Sequence, residues 1–286
     1  MTITRTRVTH DQHDQHDQHD QHDQHVVRYR LRWPIIGVLM AIAATTAVDA
    51  FGASAYVANS MLLPLFLLFW YLQHLSRAEI GLTWGRGRYY LLAVCYPTVA
   101  LALAGLIAWL SGAVNLAATD LATMAPHLIF LTLITALGAI VTEDGFFRGW
   151  LWASLQRAGV TERGLLVWTS VAFGMWRLPM ALLSTDFHLP IAQAPFLVLN
   201  AGVIGLNWAL MRQRSGSIVV ASVSHGIWNG LVYTLFNDGP TLGLLGIHNI
   251  GVFGPETSPI GLAINLAFAA ILWLGFNRVR SVKAVA

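Results

Sequence analysis

The amino-acid sequence describes an all-α polytopic chain that crosses a bilayer about eight times. Three observations carry that expectation. Of 286 residues, 56% are hydrophobic and only 11% charged, against roughly 25% charged in an ordinary soluble domain, and the mean hydropathy is +0.58. The apolar residues fall into runs mostly near the ~20 residues a helix needs to cross the hydrocarbon core. The cationic residues lie between those runs and on alternate sides of them, as bilayer-orienting charges do. A pI near 9.3 raises nucleic acid as a partner, but Lys and Arg form no patch in the sequence. The lipid bilayer is the expected partner, and nucleic acid is not.

Residues 1–25 stand apart from the transmembrane domain of residues 26–286. From Asp11 to His25 the triplet Asp-Gln-His repeats five times, and with His10 it gives six histidines at three-residue spacing. Such a tract can bind transition metals weakly or respond to pH. With no apolar residue to bury, it reads more simply as a disordered, solvated arm. Arg28, Arg30 and Arg32 precede the first apolar run, Ile35 to Val57. Ala53-Ser54-Ala55 resembles a signal cleavage site, but the long polar leader and the later spans favour a retained helix. Asp49, in the outer part of this run, is expected to reach interfacial water.

Further spans are expected at Met61 to His74, Tyr89 to Leu110, Ala125 to Leu155, Gly164 to Leu183, Ala194 to Met211, Ile218 to Phe236 and Pro259 to Phe276. The fourth span of the chain exceeds the bilayer and should tilt or emerge from it. With the N-terminus inside, every Lys and Arg except Arg148 and Arg177 falls in an inner segment. The outer loops carry Asp120, Asp186, Asp238 and Glu256 and no cation. Both termini are therefore expected in the cytoplasm. Cys95, the sole cysteine, allows no internal disulfide and no cysteine-based metal site, and is expected as a small buried residue.

Three places put polar groups at helical spacing inside these spans. In Val141-Thr142-Glu143-Asp144-Gly145-Phe146-Phe147-Arg148, Asp144 and Arg148 stand at i,i+4, acid before base. Glu143 is turned about 100° away from them and needs another partner. Phe173 and Arg177 share a second face, and His225 and Asn229 a third. Each has a bland reading: Arg148 neutralises Asp144, Arg177 makes Glu143 tolerable, and His225 or Asn229 joins helices. Taken together they favour function, because ionisable groups inside a membrane are costly. The chemistry they offer is water activation by a carboxylate in a dry site, with His and Asn donating to a developing oxyanion. Ser170, Ser222 and Ser224 lie nearby, but no motif marks an activated serine.

These residues resemble a family. Glu-Glu-x3-Arg, Phe-x3-His and His-x3-Asn/Asp on successive membrane helices are the signature of the CAAX-protease and bacteriocin-processing (CPBP) intramembrane endopeptidases. Here the match reads Glu143-Asp144-x3-Arg148, Phe173-x3-Arg177 and His225-x3-Asn229, within a core of about residues 125–236. The resemblance implies peptide-bond hydrolysis in a membrane-associated protein or peptide, with Glu143 as the base and His225 and Asn229 as oxyanion donors. Two positions depart from the pattern. Asp144 replaces the second Glu, and Arg177 stands where the family has His. Arginine stays protonated, so it neither acts as a base nor binds metal. It can keep Glu143 ionised and bond a substrate carbonyl, or it can lock Glu143 in an ion pair. His188, eleven residues on, offers a substitute, but its place in an expected outer loop argues against it. Of the possible metal ligands only Glu143, Asp144 and His225 remain, so no cofactor is expected, although zinc has been associated with the family. The alternative from another class is an inactive relative that serves as a membrane binding, immunity or scaffold protein. A transporter using Glu143 and Arg177 is a third reading, weakened by the lack of a visible inverted repeat.

Overall fold

The computed structural model describes residues 31–52, 54–116, 121–184, 189–238 and 241–285. The Asp-Gln-His arm and His188 lie outside them. The regular structure of the described chain is helical, apart from a two-residue antiparallel bridge between Asn237–Asp238 and Thr241–Leu242. The protein is an integral, multi-pass membrane protein. Six helical stretches are long and apolar enough to span: Leu31–Ala50, Arg88–Leu110, Met124–Arg157, Glu162–Leu183, Ile191–Ser215 and Ile218–Phe236. The other two expected spans are shorter apolar helices, Tyr56–Leu72 and Pro259–Gly275.

The helices used below are α1 (Leu31–Ala50), α2 (Ala55–Ser60), α3 (Leu62–Leu72), α4 (Arg88–Leu110), α5 (Leu121–Val141), α6 (Trp152–Arg157), α7 (Glu162–Trp176), α8 (Leu178–Leu183), α9 (Ala194–Ser215), α10 (Ile218–Leu231), α11 (Ile250–Phe253) and α12 (Pro259–Val285). The first expected span stops early. Gly52 takes φ +71°, a left-handed conformation that ends a helix and favours glycine. Chain order then follows local chemistry. The Thr161 side chain caps α7 by accepting the Gly164 N–H at 3.2 Å, and Ser217 caps α10 by accepting the Val219 N–H at 3.0 Å.

The connecting segments gather at two opposite ends of the bundle. At one end Arg157 pairs with Glu79 at 2.6 Å and donates to the Gln73 carbonyl at 2.7 Å. There, Arg212 donates to the Glu79 carbonyl at 3.0 Å, and Ser217 Oγ donates to the Thr83 carbonyl. At the other end the Asn115 N–H bonds the Leu245 carbonyl and the His248 N–H bonds the Ala113 carbonyl, each at 3.0 Å. Asn200 there donates to the Pro255 carbonyl at 2.7 Å. Loops that the alternation of charge assigns to one side are thus in contact with one another.

Two expectations need correction. Asp49 is 2% exposed and does not reach water, because its helix turns that face inward with Thr45, also buried. Cys95 is exposed. The inward face of α4 is made by Ala93, Tyr96, Pro97 and Ala100, which leaves Cys95 on the surface of the bundle.

The core joins α4, α5, α9 and α10 around the aromatic residues that follow Asp144. α5 and α10 approach most closely at Gly226 and Gly230. A Cβ on Gly226 would lie 2.5 Å from both the Ala136 Cβ and the Thr132 carbonyl oxygen, and one on Gly230 would collide with the Thr132 hydroxyl. This small-x3-small pairing is how membrane helices bring backbones together without a hydrophobic drive. It carries His225 and Asn229, each one residue before a glycine, toward the acidic end of α5.

Candidate active site

The acidic segment is not a plain α-helix. After Val141 the chain turns at Thr142, and Gly145–Leu151 winds as a π-helix. Such widened turns are rare and occur often at functional sites. All seven residues of the π segment are buried. Asp144 and Arg148, both 0% exposed, remain paired across it, Nη1 to Oδ1 at 3.3 Å. The guanidinium lies over Phe173, 4.1 Å from the ring centroid, and 5.2 Å from that of Trp208. Two aromatic faces thus complete the environment of a cation removed from water.

Glu143 turns away from that pair, as its helical position requires. Its Oε2 accepts from Arg177 Nη2 at 2.8 Å and lies 3.6 Å from His225 Nε2. Arg177 is placed at the end of α7, where the helix breaks before Pro179 and resumes as α8. The guanidinium also contacts the Met180 sulfur at 3.4 Å and the Trp176 ring, 4.7 Å from its centroid.

His225 sits between the two carboxylates. Its Nδ1 is 3.2 Å from Asp144 Oδ2, and its ring stacks on Trp208 with centroids 3.9 Å apart. Asp144 Oδ2 also accepts the Ser222 hydroxyl at 2.9 Å. Ser222 lies three residues before His225 and so shares its face of α10. A ring that donates at both nitrogens answers both carboxylates; a singly protonated one answers only one.

Arg177, His225, Asn229, Trp208 and Tyr233 line a cavity of about 300 Å³. Leu189, Pro190, Gln193 and the segment Gly254–Thr257 complete its wall. Glu143 is not on that wall; it lies immediately behind Arg177 and His225. Asn229, one turn after His225, faces the cavity. The six residues singled out in the sequence therefore converge, with Asp144 and Arg148 enclosed and Arg177, His225 and Asn229 turned to the open space.

Three further residues, to which the sequence assigns no part in the site, adjoin it. Ser222 could have been found from its shared helix face with His225. Trp208 and Glu256 come from α9 and from the segment before α12, with no sequence signal that joins them to the site. Glu256 Oε1 accepts the Trp228 indole N–H at 2.7 Å.

The donor set does not fit a three-ligand zinc site. Among the described residues, no group of three His, Cys, Asp or Glu side chains converges as metal ligands would. The two nitrogens of His225 face different carboxylates, so Glu143, Asp144 and His225 do not share one point.

The protein is thus a multi-pass helical bundle with a polar, ionisable site beside a cavity. Residues 125–231 match the family model for Type II CAAX prenyl endopeptidase Rce1-like proteins. That segment of the chain is similar to this family of CAAX-type membrane proteases, and the match does not extend to the remaining helices. No curated protein and no solved structure gives a significant match.

Proposed function

We propose that the chain is an intramembrane endopeptidase that hydrolyses a peptide bond in a membrane-associated protein or peptide. The observation that carries the proposal is the meeting of Glu143 with Arg177 and His225, two residues on the wall of a cavity that Asn229 also lines. In this mechanism the Glu143 carboxylate takes a proton from a water as its oxygen attacks the scissile carbonyl carbon. His225 Nε2–H and the Asn229 amide donate to the oxyanion. Asp144, itself bonded by the Ser222 hydroxyl, holds the imidazole by its other nitrogen. The proton on Glu143 then passes to the leaving amine as the C–N bond breaks. Donors aimed at developing charge in a dry site contribute several kcal/mol, and the carboxylate base roughly 10²–10⁴-fold.

Arg177 keeps Glu143 ionised and, from the cavity wall, offers its remaining N–H groups to the substrate carbonyl. The termini are assigned to the cytoplasm by the charge pattern. The part of the cavity lining supplied by Leu189, Pro190, Gln193, Ile250 and Gly254–Thr257 then lies toward the opposite face.

The test is cleavage of membrane-anchored peptides by the purified protein in liposomes. Wild type should cleave, and Glu143→Gln should be at least about 10²-fold slower with an unchanged unfolding temperature. Equal cleavage by Glu143→Gln removes Glu143 as the base. One observation favours the second reading, an inactive family member that binds a membrane partner: the Arg177–Glu143 ion pair closes at 2.8 Å while Glu143 lies off the cavity wall. Under that reading only Arg177→His cleaves.

A further inference from the structure

The cavity wall carries a carboxylate that the hydrolytic scheme does not use. Glu256 lies on its wall, on the segment between α11 and α12, and only one of its oxygens is engaged, by Trp228. Among the described residues no Lys, Arg or His stands within ion-pair distance of it. The other two carboxylates of the site each have an arginine, at 2.8 and 3.3 Å.

Glu256 is also held in place. Its backbone carbonyl accepts Asn200 Nδ2 at 3.1 Å, and the preceding Pro255 carbonyl accepts the same group at 2.7 Å. Asn200 Oδ1 accepts Asn265 Nδ2 at 2.9 Å, and Asn265 Oδ1 accepts the Tyr96 hydroxyl at 2.7 Å. Asn200 and Asn265 are at most 1% exposed. A fully connected buried chain across α4, α9 and α12 therefore fixes the height and angle of one half-buried side chain, which rigidifies it.

A carboxylate fixed on the wall of a mostly apolar cavity, with one free oxygen and no cation in ion-pair contact, is stabilised by whatever cation enters. Arg177 lines the same cavity and feels the Glu256 charge, but its ion pair is with Glu143 at 2.8 Å, so the free oxygen of Glu256 stays open to a ligand. We propose that Glu256 recognises a cationic group of the peptide that occupies the cavity, either a Lys or Arg side chain or a free N-terminal amine. The inference rests on the peptidase reading for the nature of the occupant, and it sets which peptides are taken.

The test reads binding, not turnover. Peptides with a reduced, uncleavable amide bond are titrated into the full-length protein in detergent, with tryptophan fluorescence reporting on Trp208 and Trp228. One series is N-acetylated and moves a single Lys or norleucine along the peptide; another carries norleucine with a free amine. At one position Lys, or else the free amine, should bind about tenfold tighter than its neutral counterpart. In Glu256→Gln, which keeps an acceptor for Trp228, that difference should vanish. Equal affinities throughout, binding of none, or a difference that survives Glu256→Gln overturns the proposal. A cationic preference without cleavage of ordinary peptides would sink the hydrolytic reading alone. Cleavage without the preference would sink only the role of Glu256.

Discussion

The His225 ring divides the site into two halves built by opposite rules. On its Nδ1 side, Asp144, Arg148 and Ser222 are each 0% exposed, and the carboxylate and guanidinium are enclosed by Phe173 and Trp208. On its Nε2 side, Arg177, Asn229 and Glu256 line a cavity, and Glu143 lies directly behind Arg177. The first half is a closed set of charges that can relax nowhere. The second has room for water or a ligand to replace a lost partner. The same chemical pair, a carboxylate with an arginine, is thus a structural element in one half and an adjustable one in the other. Adjacent residues in sequence, Glu143 and Asp144, fall on opposite sides of that division because a helix turns 100° per residue.

The largest expected effect breaks the enclosed half. Arg148→Met leaves Asp144 charged and buried without its cation, which should cost about 3–5 kcal/mol, read as a drop in unfolding temperature in detergent. Adding Asp144→Asn should recover part of the loss. Arg177→Met should cost clearly less, because water in the cavity can reach Glu143. Equal losses for the two arginines would abolish the distinction between the halves.

A smaller effect sharpens it. A Cβ on Gly205 would lie 2.8 Å from Arg148 Nη2 and 3.0 Å from Phe173 Cδ1. Gly205→Ala should therefore destabilise by about 1–3 kcal/mol, the usual result of overpacking. Gly202, one turn earlier, has only the Ser170 carbonyl at 3.5 Å. Gly202→Ala should be neutral or gain up to ~1 kcal/mol from helix propensity. The difference between the two, measured by the same thermal unfolding, reports how rigid the arginine's enclosure is.

Helical spacing made much of this arrangement legible. Asp144 with Arg148, and His225 with Asn229, follow from i,i+4 geometry alone, and the spans follow from hydropathy. What escaped did so for physical reasons. In a membrane protein the lipid face and the packed face are equally apolar, so nothing in the run around Cys95 says which way it points. Asp49 reads as interfacial by its position in the run, whereas its burial depends on a neighbouring helix. The π-helical turn after Asp144 and the approach of Glu256 to the cavity are tertiary outcomes. The first is set by packing of Phe146, Phe147 and Trp150, the second by the Asn200–Asn265 chain. Spacing gives a residue's face but not its neighbour.

The smallest expected effect lies far from the site, at the basic end of the bundle, and supplies a contrast of exposure. Glu79 accepts the Ser76 N–H at 2.7 Å while its own N–H bonds Ser76 Oγ at 3.2 Å, a reciprocal turn like a capping box. It also pairs with Arg157 at 2.6 Å, with the two side chains 37% and 44% exposed. The Ser76 backbone N–H, and then its hydroxyl and Arg157, hold the Glu79 carboxyl below its usual value of 4.5. A depressed folded-state pKa means that its stabilisation is fully present above the unfolded value and is lost as pH falls through the folded one. Wild type should therefore exceed Glu79→Gln in stability by no more than about 0.5 kcal/mol near neutral pH, given the solvent screening of so exposed a pair. The gap should shrink as the pH is taken below 4.5, and also in 1 M salt, where the Debye length is about 3 Å. The loss from Arg148→Met should ignore salt, since no ion reaches its enclosure. If salt moved both equally, the arginine beside Asp144 would have to be open to solvent, and the division drawn by His225 would fail.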